Sequence, residues 1–174
     1  MTTHPSPMHL RLVTGHVGTR PLPLTGRQGQ RRAALKQGAT DVLDRRELFE
    51  TVERVGEIAP AAPLSFLVVT VDGLAELARD EATLTMRLVS GRVRSLTRAV
   101  DAVGRMGEAS LGVLLQGTGV TAAGAVAARL SHHISQVVRG LNPQLGVHVT
   151  AATGTGANWP TLPVAATPTL PDCG

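Results

Sequence analysis

Residues 98–116, RAVDAVGRMGEASLGVLLQ, decide the fold. They hold two short apolar runs, 101–106 and 110–116, on either side of Gly107-Glu108. Only a tight hairpin joins strands that close together, so the stretch predicts an antiparallel pair. Upstream, LSFLVVTV at 64–71 is apolar and rich in β-branched residues, the signature of a strand buried on both faces. Downstream, Leu145, Val147, Val149 and Ala151 alternate as a last strand.

Helical spacing fills the gaps between these runs. A first helix is predicted from Asp44, with Leu48, Val52 and Val55 inward and Phe49 beside them. Asp41 or Asp44 can cap it, Glu50 and Arg54 form an exposed pair, and Gly56 and Pro60 end it. A second helix is strongest over 84–98, with the stripe Val89, Val93, Leu96 and Val100. A third, capped by Thr121, carries Ala123, Val126, Leu130, Ile134 and Val137 and stops at Gly140 and Pro143. The order α-β-α-β-β-α-β predicts an α/β (α+β) fold: an antiparallel-containing sheet covered by helices, of ferredoxin-like or nucleotidyl-cyclase type.

Composition bounds the rest. At 174 residues and 18.1 kDa, with 43% hydrophobic and 17% charged residues, the chain fits one domain with tails and excludes a large multidomain enzyme. Aromatics are 2%, so the core is aliphatic and no base-stacking platform is available. The net charge of +4 sits in residues 1–40, whose six bases face no acid; the remainder holds eleven bases against thirteen acids. Residues 1–39 therefore read as a basic, Pro-containing, largely flexible arm, with a weak strand-like run at 10–14. Residues 40–157 read as the folded domain, and 158–174, with Pro160, Pro163, Pro168 and Pro171, as a Pro-rich flexible tail. The arm offers a surface for nucleic acid or anionic lipid, but a solvated tail fits its composition better. Cys173, the one cysteine, allows no internal disulfide and predicts a reducing, cytoplasmic setting. No secretory h-region follows Met1, and no stretch approaches the roughly 20 apolar residues of a membrane span.

Residues 98–115 also resemble the central motif of GGDEF domains, the diguanylate cyclases of bacterial signalling. There a strand precedes a Gly-Gly-Asp/Glu-Glu-Phe hairpin, followed by an apolar strand. Asp41-Val-Leu43 with Arg45-Arg46-x-x-Phe49 resembles the family's opening segment, with Asp44 in place of Asn. Leu67-Val-Val-Thr70-Val-Asp72-Gly73-Leu74 resembles the strand bearing Asp-x-Asp-x-Phe, and Gly146-Val-His-Val-Thr-Ala-Ala-Thr-Gly154 the last strand. The resemblance covers roughly residues 40–157 and implies a GGDEF fold.

The departures from the pattern carry the functional expectation. The family's reaction joins two GTP molecules with divalent ions, which need hard oxygen ligands. The resemblance places the first metal-binding Asp on Thr70, the hairpin acid on Ala109, just before Ser110, the phosphate-binding Lys on Ala75 and the guanine-reading Asn on Ala78. Gly107 keeps the first hairpin glycine, but Glu108 replaces the second with a charge that repels phosphate. It therefore implies a catalytically inactive regulatory domain with no catalytic residue, resident metal or cofactor. A residual cyclase or GTP-binding enzyme is the alternative, and a nucleic-acid-binding protein using the basic arm a third.

Arg98-Ala-Val-Asp101 matches the family's Arg-x-x-Asp product-inhibition site. The resemblance implies cyclic di-GMP as a ligand of Arg98 and Asp101, with Arg94 and Arg87 on the same helical face for phosphate contacts. The same pair can equally be an ion pair that pins a helix end to a strand start. A protein partner is implied for a regulatory domain, and a homodimer is allowed because active members work as two facing copies. His132 and His133 point about 100° apart and make no metal pair. Asp72 reads as a turn carboxylate, and His148 as a surface residue without an acid nearby. Gly117-Thr-Gly119 and Gly154-Thr-Gly156 lack the lysine and spacing of a P-loop.

Overall fold

Asp44 opens the first helix. Its carboxylate accepts from the Glu47 backbone N–H at 2.7 Å while the Glu47 carboxylate accepts from the Asp44 N–H at 3.1 Å, a complete capping box. The computed structural model describes residues 42–167; the arm, the run at 10–14 and Cys173 lie outside the described residues. Its elements are α1 (Arg45–Ile58), β1 (Pro63–Asp72), a 3-10 turn (Leu74–Glu76), α2 (Arg79–Leu96), β2 (Ala102–Arg105), β3 (Ser110–Gln116), α3 (Val120–Leu141), β4 (Gly146–Thr155), a second 3-10 turn (Gly156–Thr161) and α4 (Leu162–Ala166).

The sheet is antiparallel throughout, in the order β2-β3-β1-β4. Because β3 runs antiparallel to both its neighbours, β1 and β2 run the same way with β3 inserted between them. This is the split βαβ arrangement, and β3-α3-β4 repeats it around β1. The expected α+β fold with a ferredoxin-like sheet is the one observed. β1 is buried on both faces: Leu67, Val69 and Val71 meet Met86, Val89, Val93, Leu130 and Ile134 of α2 and α3. Phe66 and Val68 meet Leu48, Val52 and Val55 of α1 and Leu162 and Ala166 of α4. Such side chains contribute about 1.5–3 kcal/mol each when fully buried. Leu43 bridges in parallel to Gly104 and so covers the outer edge of β2.

Several local expectations need correction. α2 begins at Arg79, five residues before the stretch of strongest helical spacing, because Asp80 and Glu81 suit the positive end of a helix, and it ends at Leu96, which leaves Val100 of the expected stripe outside it. Gly119, not Thr121, is the N-cap of α3, and Val138 rather than Val137 is the fully buried residue of its last turns. Gly56 and Gly140 lie inside their helices. Glu50 pairs with Arg46 at 2.8 Å instead of Arg54, whose guanidinium turns to Thr51. Both orientations are one helical turn, so spacing alone did not choose between them.

The tail boundary also moves. Residues 158–166 belong to the 3-10 turn and α4, where Leu162, Pro163 and Ala166 are buried. Prolines here sit in the 3-10 turn and in the first turn of α4, where a missing N–H is harmless. The contact is made by two glycines: a Cβ on Gly56 would overlap the Trp159 ring, and one on Gly156 would overlap the Ala59 carbonyl. Gly156→Ala is therefore expected to destabilise the fold by about 1–3 kcal/mol, lowering Tm by several degrees in a circular dichroism melt. An unchanged melt would contradict this packing.

Candidate functional site

The side chains singled out in the sequence fall at opposite ends of β1. At its C-terminal end Thr70 lies opposite Ser110 of β3 and His148 of β4. Alternation along the strands turns these three toward the α1 face. The hairpin is held by Met106 N–H to the Ser110 carbonyl at 2.9 Å, and Val71 N–H donates to the Ala109 carbonyl at 2.9 Å. Gly73, at φ +77°, turns the chain out of β1 into the 3-10 turn. Ala75, Ala78, Gly107 and Glu108 are exposed around this edge, while Ala109 packs against the core of the α2–α3 face.

The chemistry of this end is sparse. Asp72 ends β1, and its Oδ2 lies 3.1 Å from His148 Nε2, so the surface reading of His148 needs an acidic neighbour added. Both side chains are open to solvent. Thr70 and Ser110 bring neutral hydroxyls, and Ala75, Ala78 and Ala109 bring methyl groups. Among the described residues no three His, Cys, Asp or Glu side chains converge to hold a metal ion. As an arrangement it can hydrogen-bond a ligand, but it holds only one carboxylate on the strand itself.

The other end of β1 is densely bonded. The Asp101 side chain is 2% exposed and accepts from four donors: the Arg98 N–H at 3.0 Å, Arg98 Nε at 3.1 Å, Arg98 Nη2 at 3.1 Å and the Gln116 N–H at 3.2 Å. Arg98 Nη2 also donates to the Gln116 carbonyl and Thr118 Oγ1, both at 2.8 Å. Arg94 Nη1 donates to the carbonyls of Arg98, at 3.0 Å, and Asp101, at 3.3 Å. Gln116 Nε2 reaches the Val100 carbonyl. Thr118 passes the network on: its carbonyl accepts from Ser65 Oγ at 2.7 Å, which in turn meets Thr153 Oγ1 at 2.8 Å.

The structure therefore brings Arg98, Asp101 and Arg94 together, while Arg87 is exposed and outside the network. Gln116, Ser65 and Thr153 carry no motif of their own in the sequence, and Thr118 stands out there only within Gly117-Thr-Gly119, which lacks the spacing of a P-loop. The available signal was a polar residue ending or interrupting an apolar strand run. Elsewhere, Arg45, Arg46 and Phe49 bound a shallow open hollow, with the Arg45 guanidinium 5.8 Å from the Phe49 ring centre.

Removing Asp101 leaves buried N–H groups and a cation without their acceptor. Asp101→Ala is expected to cost about 2–4 kcal/mol, and Arg98→Ala less, because that side chain is half exposed. Urea denaturation checks the order; an Asp101→Ala chain as stable as wild type would sink the structural role.

No protein-family model matches the sequence, and no curated relative is found. Solved structures do match. The diguanylate cyclase SiaD of Pseudomonas aeruginosa, solved with its activator SiaC, is similar with a TM-score of 0.65 and 20% identity, over 80% of this chain and 59% of that one. This chain thus spans under two thirds of SiaD's length. The GGDEF domain of FimX from the same organism gives 0.62 and 16%, over 75% and 88%. That of DgcB from Caulobacter crescentus, solved with c-di-GMP, gives 0.54 and 10%, over 87% and 91%. With the antiparallel four-stranded sheet already described, these likenesses show that the chain has a GGDEF-like fold.

Proposed function

We propose that the chain is a non-catalytic regulatory module of cyclic di-GMP signalling that works in the cytoplasm through contacts with other proteins. One observation carries this reading: where β1 meets the hairpin, Thr70 and Ala109 stand at the positions to which the family resemblance assigns metal carboxylates. Joining two GTP molecules requires ions to offset the charge of the phosphates, and a neutral hydroxyl and a methyl group are poor ligands for them. Asp72, the remaining carboxylate of the strand, is engaged with His148. Ala75 and Ala78 offer nothing to phosphate or guanine, and Glu108 adds a repulsive charge. In the described residues no helix is long and apolar enough to cross a membrane. The basic arm is proposed as an accessory segment rather than a nucleic-acid-binding element.

A second reading has one observation in its favour. The Arg98 side chain is 51% exposed beside Arg94, with Arg87 further back on α2, so guanidinium edges are open to an anion. Cyclic di-GMP would then meet Arg98, Arg94 and Arg87, but it would compete with four donors for Asp101. That competition places protein contacts ahead of ligand binding.

Two measurements decide between these readings. Incubated with GTP and Mg²⁺ or Mn²⁺, the chain is expected to form no cyclic di-GMP; metal-dependent product would overturn the non-catalytic reading. In isothermal titration, cyclic di-GMP is expected to give no binding heat with wild type. Micromolar binding, about 8 kcal/mol, lost in Arg98→Ala, would establish the receptor reading instead.

A further inference from the structure

The α2–α3 face combines two features that a solvated surface lacks. Leu84 and Leu88 are 53% and 42% exposed. With Gly91 and Ser95, also exposed, they follow one another at steps of four, three and four along α2. That spacing forms a straight seam of the kind a second helix packs against. Gly91 has open space where a side chain would stand, so the seam is bulky at one end and notched at the other.

From Arg87 onward the seam is bordered by arginines, while the acids Asp80 and Glu81 stand one turn before Leu84. Arg87 and Arg94 border it on one side, and Arg92 on the other, where α3 adds Arg129 and His133; Arg92 Nη2 lies 3.3 Å from His133 Nδ1. α2 has no acid after Glu81, and α3 has none. Among the described residues no carboxylate ion-pairs with Arg87, Arg92, Arg94 or Arg129. Arg87, Arg92 and Arg94 occupy the positions bordering the seam, where charge selects the partner in paired helices.

We propose that this seam docks an acidic amphipathic helix of a partner protein, with aliphatic side chains over Leu84, Leu88 and the Gly91 notch and carboxylates facing Arg87, Arg92 and Arg94. It rests on the protein-contact part of the function proposed above. Other occupants fit less well. A second copy presenting the same seam brings arginine against arginine. The chain's own N-terminal arm has six bases and no acid before residue 41. The described residues hold eleven arginines against eleven acids, so the folded part by itself supplies no net charge to draw a polyanion to this face. The apolar stripe sits where a nucleic-acid backbone would need charge, and two leucines make too narrow a face to seat in a bilayer.

The test uses the full chain and a fluorescein-labelled three-heptad peptide with Leu at the seam and Glu beside it, plus a control with Lys for Glu. Fluorescence anisotropy is expected to show binding of the Glu peptide only, weakened roughly tenfold or more by Leu88→Ser and by Arg87→Glu. Both residues are exposed, and matching thermal melts confirm that the variants fold. No binding of the Glu peptide, or equal binding by wild type and both variants, overturns the proposal. So does self-association that Leu88→Ser abolishes, which assigns the seam to a second copy. Binding of phosphatidylserine vesicles or duplex DNA that is lost in the same variants overturns it in favour of those partners. GTP turnover bears on the non-catalytic reading alone, so the two can fail separately.

Discussion

The carboxylate of Asp101 is the point on which the sheet's far end depends. A charge buried this deeply is tolerated only when its oxygens are filled, and here Arg98 and the Gln116 N–H fill them. The consequence is geometric. The end of α2, the start of β2 and the end of β3 must meet at one place for the charge to be satisfied, and Thr118 and Ser65 carry the same bonding to β1 and β4. A packed apolar core alone would tolerate some slippage between strands; a saturated carboxylate does not.

The two ends of β1 have opposite characters as a result. One end is knitted by charged and polar groups whose partners are all internal. At the other, small neutral side chains ring a hairpin and a single ion pair faces solvent. Between them, both faces of the strand are aliphatic. Gly104 and Gly112 lie opposite each other in the hairpin, and the space left by their missing side chains is taken by Leu48 of α1 and Phe66. The absence of bulk in the hairpin lets the first helix lie close against the sheet.

Much of this was legible in the amino-acid order. Period-two and period-3.6 apolar spacing located the four strands and three long helices, and the split βαβ order followed from a hairpin set among helices. The short C-terminal α4 was hidden because its prolines read as a tail, while the property that matters, a surface for Leu162 and Ala166 to bury against, belongs to α1 and β1. Arg98 and Asp101 were legible as a pair. Their partners Gln116 and Thr118 were not, since a lone polar residue at a strand end carries no signature of what it will meet. Asp72 and His148 likewise come together only through the register of β4 on β1. Arg87 and Arg94 were legible as one helical face, whereas Arg92 and the exposed Leu84 and Leu88 needed the structure, because only burial separates inward residues from those left outside.

The central place of β1 also governs how the chain can fold. Its two neighbours, β3 and β4, come from far down the sequence, and β4 ends only at Thr155. Contacts between distant segments must overcome the entropy of closing long loops before they return any stability. On a chain emerging from the ribosome, α1 is already made and can cover one face of β1, but the other aliphatic face and both edges stay bare while α2, β2, β3 and α3 are still being made. Assembly is thus late and concerted, and an interrupted synthesis leaves the stickiest strand of the molecule uncovered on one face.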